Sequence, residues 1–229
     1  MRCDKVRKII SYPISKKNPG WPGNPTYEIE QVTDIKSGDS ANTFMLHLFN
    51  HFGSHMDAPK HFYNDGESIS EFSIDNFFYD KPLLLDIPKA AGEKIYEEDL
   101  LPYAEQIAEC DLLMIRTGFS KMRGENPALY AENGPAVSSE AAKYLIENYA
   151  GKMKAIALDF ISLASYSDSV DGDLAHQYMC GKFHTKTIFI IEDVNFEGLD
   201  KKRIQKAAAI PLYLEGVDSS PVTMWAEIK

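Results

Sequence analysis

The chain has three cysteines, Cys3, Cys110 and Cys180, and none belongs to a CxxC pair. So few thiols, odd in number and far apart, exclude a disulfide framework and point to a reducing compartment. They read as packing thiols. Long apolar runs are also missing: no window approaches the ~18 apolar residues of a membrane helix. The N-terminal "MRCDKVRKIISYPIS" lacks the apolar core of a secretory signal. A cytoplasmic protein is therefore expected, with no membrane as partner. Basic residues are outnumbered, with 24 Lys and Arg against 34 Asp and Glu, so the net charge is −10. An acidic surface repels nucleic acid and anionic lipid, which removes both as partners. Lys201-Lys202-Arg203 is too short a basic run to reverse this. There is no internal repeat, low-complexity tract or obvious linker.

What remains is ordinary globular material. Hydrophobic residues make up 44% and charged residues 25% of 229 positions, enough to bury the core of one domain. "KKNPGWPGNP" (16–25) is the densest cluster of turn formers and reads as a rigid surface loop, because its prolines fix φ. "RKIISYPI" and "NTFMLHLF" carry the aliphatic and aromatic content of strands. "PLLLDIP", "DLLMIRTG", "KAIALD" and "TIFIIED" are short apolar runs bounded by polar residues, as buried strands should be. The tail adds "AAAIPLYLEG" and "PVTMWAEI". Ser138 or Ser139 caps a predicted helix that runs to Tyr149, with Ala142, Leu145, Ile146 and Tyr149 as its apolar stripe. A second helix is predicted over Asp173 to Cys180. The chain reads as α/β and rich in strands.

The stretch "HFGSHMDAPKHF" (51–62) holds three of the six histidines. A helical HxxxH zinc site does not suit it: Gly53 weakens a helix, Pro59 breaks one, and no glutamate follows the first histidine. Read as an extended ribbon, its side chains alternate. His51, His55, Asp57 and His61 then share one side, with Gly53 leaving space between them. Phe52, Met56 and Phe62 point the other way, toward a core. Three imidazoles and a carboxylate at one place are the ligands of zinc or manganese. Pro59 would bend the segment and turn His61 back toward the ion. Glu192 ends an apolar strand, and His176 lies on the second predicted helix. His184 and His47 are weaker candidates, and His47 reads as a packing residue of its strand.

"HFGSHMDAPKHF" resembles the HxGTHxDxPxHF signature of the cyclase family of metal-dependent hydrolases, which includes bacterial kynurenine formamidase (arylformamidase) and isatin hydrolase. Ser54 replaces the usual threonine and keeps the hydroxyl. The similarity continues through "ISYPISKKNPGWPGNP", "CDLLMIRTGF", "AVSSEAAKYL" with "KAIALDFIS", "AHQYMC…IFIIEDVNFEGL" and "IPLYLEGVDSSPV", so it covers nearly the whole chain. It implies one domain over 1–229, with the family's swivelling β/α/β fold: a strand-rich mixed sheet with flanking helices. His51, His55 and Asp57 would hold a first metal. Asp57 could bridge to a second held by His176, and Glu192 would bridge or complete the site. His61 would be the catalytic proton donor and acceptor, or a ligand, and Trp21 would line the substrate pocket. His176 and Glu192 stand sixteen apart, longer than the family spacing, which leaves His184 as the rival of His176. Thr223 stands where the family commonly has arginine after "PV". One or two divalent metals per chain, zinc or manganese, are implied, with a homodimer or homotetramer as the assembly. The implied activity is hydrolysis of a small amide, an N-formyl aryl amine such as formylkynurenine or a cyclic amide. The alternatives are a cyclase or dehydratase acting on a hydroxylated substrate, and a non-catalytic metal- or ligand-binding member.

Overall fold

The structure is a computed structural model and describes residues 5–229. Cys3 lies outside the described residues. Strands run in chain order as β1 (Val6–Ile9), β2 (Glu28–Thr33), β3 (Thr43–His47), β4 (His55–Asp57), β5 (Phe78–Tyr79), β6 (Pro82–Asp86) and β7 (Lys94–Ile95). They continue as β8 (Leu112–Arg116), β9 (Ala136–Val137), β10 (Ala155–Leu158), β11 (Phe189–Glu192), β12 (Ile204–Pro211) and β13 (Ser219–Ile228).

Nine of these form one mixed sheet, in the order β5-β12-β13-β4-β11-β10-β8-β6, with β1 paired to β13. The apolar runs predicted as buried strands make its parallel part: β6, β8, β10 and β11. Alternation along them explains the layering. Leu113 and Ile115 of β8, Ile156 and Leu158 of β10 and Ile190 of β11 face one core. Leu112 and Met114, Ala155 and Ala157, and Phe189 and Ile191 face another. Both faces are covered, so both parities must be apolar. The sheet curls until β12 approaches β6 and is nearly closed. Small residues, Ala155, Ala157, Ala207, Ala209 and Ala226, occupy the core inside the curl.

Two long helices cover the outer face and pack on each other. The first spans Ser139–Tyr149, and the Ser138 hydroxyl accepts from the Ala141 amide at 3.1 Å. Its Ala142, Leu145 and Ile146 are buried, as their spacing predicts. The second spans Ser169–Met179 and begins four residues before the predicted Asp173. Asp168 caps it, accepting from Asp171 at 3.3 Å. Gly172 does not interrupt it, because a Cβ there would stand 2.5 Å from the Cβ of Ala164. The helix needs a glycine to pass that close.

β2 and β3 pair only with each other, as a hairpin whose residues are almost all exposed. His47, expected to pack, is exposed at its end. Cys110 and Cys180 are buried and unpaired, as packing thiols.

Candidate metal centre

β4 runs antiparallel between β11 and β13, with His55 opposite Glu192 and Pro221, and Asp57 opposite Ile190 and Ser219. Alternation sends Met56 into the core inside the curl and His55 and Asp57 to the other face. The extended ribbon read from the sequence is three residues long. His51 lies in the preceding turn, and Pro59 opens a single 3₁₀ turn that ends at His61. Phe62 corrects the predicted alternation: it faces the site and stacks on the His176 ring at 4.5 Å. Gly53 has φ +72°, so its role is a left-handed turn as well as the space it leaves.

The fold brings all six predicted polar residues together. His51 Nδ1 lies 3.0 Å from Asp57 Oδ1, and His55 Nε2 lies 3.3 Å from Glu192 Oε2 and 3.6 Å from Asp57 Oδ1. His176 Nε2 stands 3.6 Å from Glu192 Oε1 and 3.9 Å from Asp57 Oδ2. His61 Nε2 is 4.0 Å from Asp57 Oδ2. Two triads, His51–Asp57–His61 and His55–Asp57–Glu192, each hold their ligand atoms within 4.8 Å of one another and share Asp57. His184 sits in the turn after the second long helix, where its Nδ1 accepts from the Lys186 amide at 3.1 Å. It does not line the cavity over the cluster, and His176 does.

The surrounding groups set which atoms point inward. His55 Nδ1 donates to the Gly53 carbonyl at 2.7 Å, and His176 Nδ1 to the Gly172 carbonyl at 2.9 Å. Each bond leaves Nε2 free, the usual arrangement behind a metal-bound imidazole. The Leu163 amide and the Ser162 hydroxyl donate to Glu192 Oε1 at 2.6 and 3.0 Å. The Ser54 hydroxyl accepts from the Tyr12 amide at 2.8 Å and donates to the Asp193 carbonyl at 2.5 Å, which is why a hydroxyl is needed there.

The sequence reading missed Asp218. Its Oδ2 accepts from His51 Nε2 at 2.9 Å and from His61 Nδ1 at 2.8 Å. The one signal was the aspartate within the closing "VDSSPV" segment. Burial disfavours a charged His51, yet the hydrogen bond to Asp218 and the neighbouring Asp57 carboxylate push its imidazole up to about 10. Burial and the Asp57 carboxylate oppose the charge on Glu192, and the close imidazoles of His176 and His55 hold its carboxyl down at about 2. Asp57 is likewise held below the usual carboxylate range, against burial, chiefly by the neighbouring imidazoles.

His55 Nε2 and both Asp57 oxygens are buried with no hydrogen-bond partner among the described residues. Leaving such groups unmet costs about 1–3 kcal/mol each. A divalent cation meets all three at once, and the donor set of imidazole and carboxylate suits zinc or manganese. The residues present therefore fit a metal.

A cavity of about 490 Å³ opens over the cluster, with Trp21 and Phe49 in its wall. Trp21 packs edge-on against Tyr166, with ring centres 5.6 Å apart. Thr223 is exposed and is not part of this wall.

The family model described as "Putative cyclase" matches residues 9–165, more than half of the chain, and the chain belongs to that family. It is 26% identical over 215 residues to a kynurenine formamidase of Bacillus anthracis, covering 93% of each chain. An uncharacterized protein of Haemophilus influenzae is 42% identical over 119 residues, 52% of this chain and 84% of that one. Isatin hydrolase A from Ralstonia solanacearum superposes with a TM-score of 0.82 at 18% identity, covering 98% of this chain and 92% of that one. That likeness carries the fold, a mixed sheet with flanking helices, as the sequence motifs imply.

Proposed function

We propose that the protein is a metal-dependent hydrolase of a small amide, an N-formyl aryl amine or a cyclic amide. The observation that carries this reading is the buried, unpartnered set of His55 Nε2 and the two Asp57 oxygens, next to an aromatic-walled cavity that His55 lines. His51, His55 and Asp57 would hold one ion, and His176, Glu192 and the same Asp57 a second. Zinc is the first choice for this donor set and manganese the second. A bound divalent ion supplies a Lewis acid and lowers the pKa of water toward ~7.

The chain's own residues do the rest. His61 Nδ1 donates to Asp218, which fixes the ring and leaves Nε2 facing the cluster. That nitrogen takes the proton of the attacking water and returns it to the leaving nitrogen. Asp218 stabilises the imidazolium while it carries that proton. Trp21 and Phe49 pack on the substrate ring and exclude water from one side of the amide. The hairpin of β2 and β3 exposes Ile29, Val32, Phe44, Met45 and Leu46. This supports an assembly of at least two copies, to be measured by light scattering.

The test is metal analysis of the purified protein, then turnover with zinc or manganese on a panel of N-formyl aryl amines and cyclic amides. One or two metals per chain with metal-dependent turnover is the expected result. Oxygen from labelled water must enter the product; its absence would replace hydrolysis with ring closure or dehydration. Failure to take up any metal would overturn the site.

A further inference from the structure

The cavity has a charge pattern that amide hydrolysis does not require. None of the residues that line it is a lysine or an arginine. Its carboxylates differ in their surroundings. Asp218 is held by two imidazoles, and Asp193 by the Arg123 guanidinium at 2.8 Å. Glu192 lies among His55 and His176. Asp173 is different: it is exposed, lines the cavity, and makes no ion pair or side-chain hydrogen bond among the described residues. Its neighbours make the contrast plain, because Asp168 and Asp171 on the same helical segment each bind Lys94 at 2.7 Å.

Asp173 precedes His176 by one helical turn, so both project from the same helix face. His176 reaches the metal cluster, and Asp173 stands a turn further out. Trp21 and Phe49 line the same cavity. A carboxylate beside aromatic faces attracts a cation twice over, by charge and by the ring quadrupole. The net charge of −10 adds in the same direction at long range. An anionic group at this place would meet a carboxylate and find no lining lysine or arginine, which is discrimination by repulsion. A volume of about 490 Å³ suits a single aryl ring with short substituents.

We propose that the pocket selects aryl amides whose end remote from the amide carries a primary ammonium, that it rejects those carrying a carboxylate there, and that Asp173 determines this specificity. The proposal rests on the small-amide reading of the site and names the substrate class within it.

The test is calorimetric titration of the metal-reconstituted protein with three acetanilides bearing, at the para position, aminomethyl, methyl or carboxylate. The methyl compound is the internal reference. The aminomethyl compound should bind more tightly than the reference and the carboxylate more weakly. An exposed charge pair changes each affinity roughly two- to fivefold, so Asp173→Asn should shrink the ratio between the charged compounds roughly tenfold. Asp173→Lys should invert the order. Equal binding, a preference for the anion, no binding of any of the three, or a ratio unchanged by both substitutions would overturn the proposal. The matching N-formyl compounds are assayed for hydrolysis in parallel. A charge order that follows Asp173 with no hydrolysis would count against the hydrolase reading and leave the charge selection standing.

Discussion

Arg123 grips Asp193 side-on, with Nε on Oδ1 and Nη2 on Oδ2, both at 2.8 Å. The Tyr130 hydroxyl adds a bond to Oδ1 at 2.6 Å, and the guanidinium lies 3.8 Å over the Tyr12 ring. Asp193 has φ +54°, and no other non-glycine residue among those described is positive. This turn directly follows Glu192 and presents the carbonyl that Ser54 binds, so it ties the segment before His55 to the end of β11.

Removing one partner of a buried pair strands the other, at a cost of about 3–5 kcal/mol. Arg123→Ala should lower stability by that amount in denaturant unfolding. Arg123→Ala with Asp193→Asn should cost less than the sum of the two single changes, because the stranded charge is gone. Strict additivity would show that the pair acts as two independent groups.

Asp57→Ala removes the carboxylate common to both triads. Metal content by plasma mass spectrometry should fall to background, and turnover with it. His61→Ala should keep at least one metal while turnover drops by about 10²–10⁴, the range for loss of a general acid–base. Full metal content in Asp57→Ala would reject the shared-ligand arrangement.

Metal uptake should release protons. In the metal-free protein, against burial, Asp218 and Asp57 push His51 up to about 10, and Glu192 raises His55 and His176. Imidazoles protonated at neutral pH must lose their protons to act as ligands. Affinity should therefore rise from pH 6 to pH 8 by about tenfold per unit for each proton displaced. Titration in buffers of different ionisation enthalpy counts those protons, and a count of zero would contradict the assignment. Without metal, the raised His51 pKa contributes stability that is complete below 6.5 and is lost as pH climbs through about 10.

Gly172→Ala should be harmful despite alanine's better helix propensity. The new Cβ would meet the Ala164 Cβ at 2.5 Å and its Cα at 3.0 Å. Overpacking of this kind costs about 1–3 kcal/mol, against a propensity gain of about 1 kcal/mol. The Gly172 carbonyl also holds His176 Nδ1, so the second metal equivalent should be lost before the first. Adding Ala164→Gly should restore both melting temperature and metal content. If metal content stays full while stability falls, the helix does not set the His176 position.

The buried strands were legible because each apolar run exceeds what a half-buried strand needs. β2 was not, since "EIEQVT" carries little that a core would demand and its hairpin pairs with no other strand among the described residues. The near-closure of the sheet was illegible for another reason: β12 and β6 meet only through the fold. At the site, His55, Asp57 and Glu192 were readable from local alternation and strand ends. Asp218 was not, because its meaning comes from His61, 157 residues away. His176 needed the fold too, since helix periodicity says which face it shares and not what that face meets.

The pairing of β4 with β13 also orders events during synthesis. Translation delivers His51, His55, Asp57, His176 and Glu192 before it delivers Ser219–Ile228, which closes the other side of β4. A nascent chain that has emerged as far as β11 thus carries all the candidate ligands, two of them, His55 and Asp57, on a strand with one bare edge, open to mispairing and to early capture of whichever ion is most abundant. Only the later arrival of β13 seals that edge, and with Asp218 just before it comes the carboxylate that aligns His61.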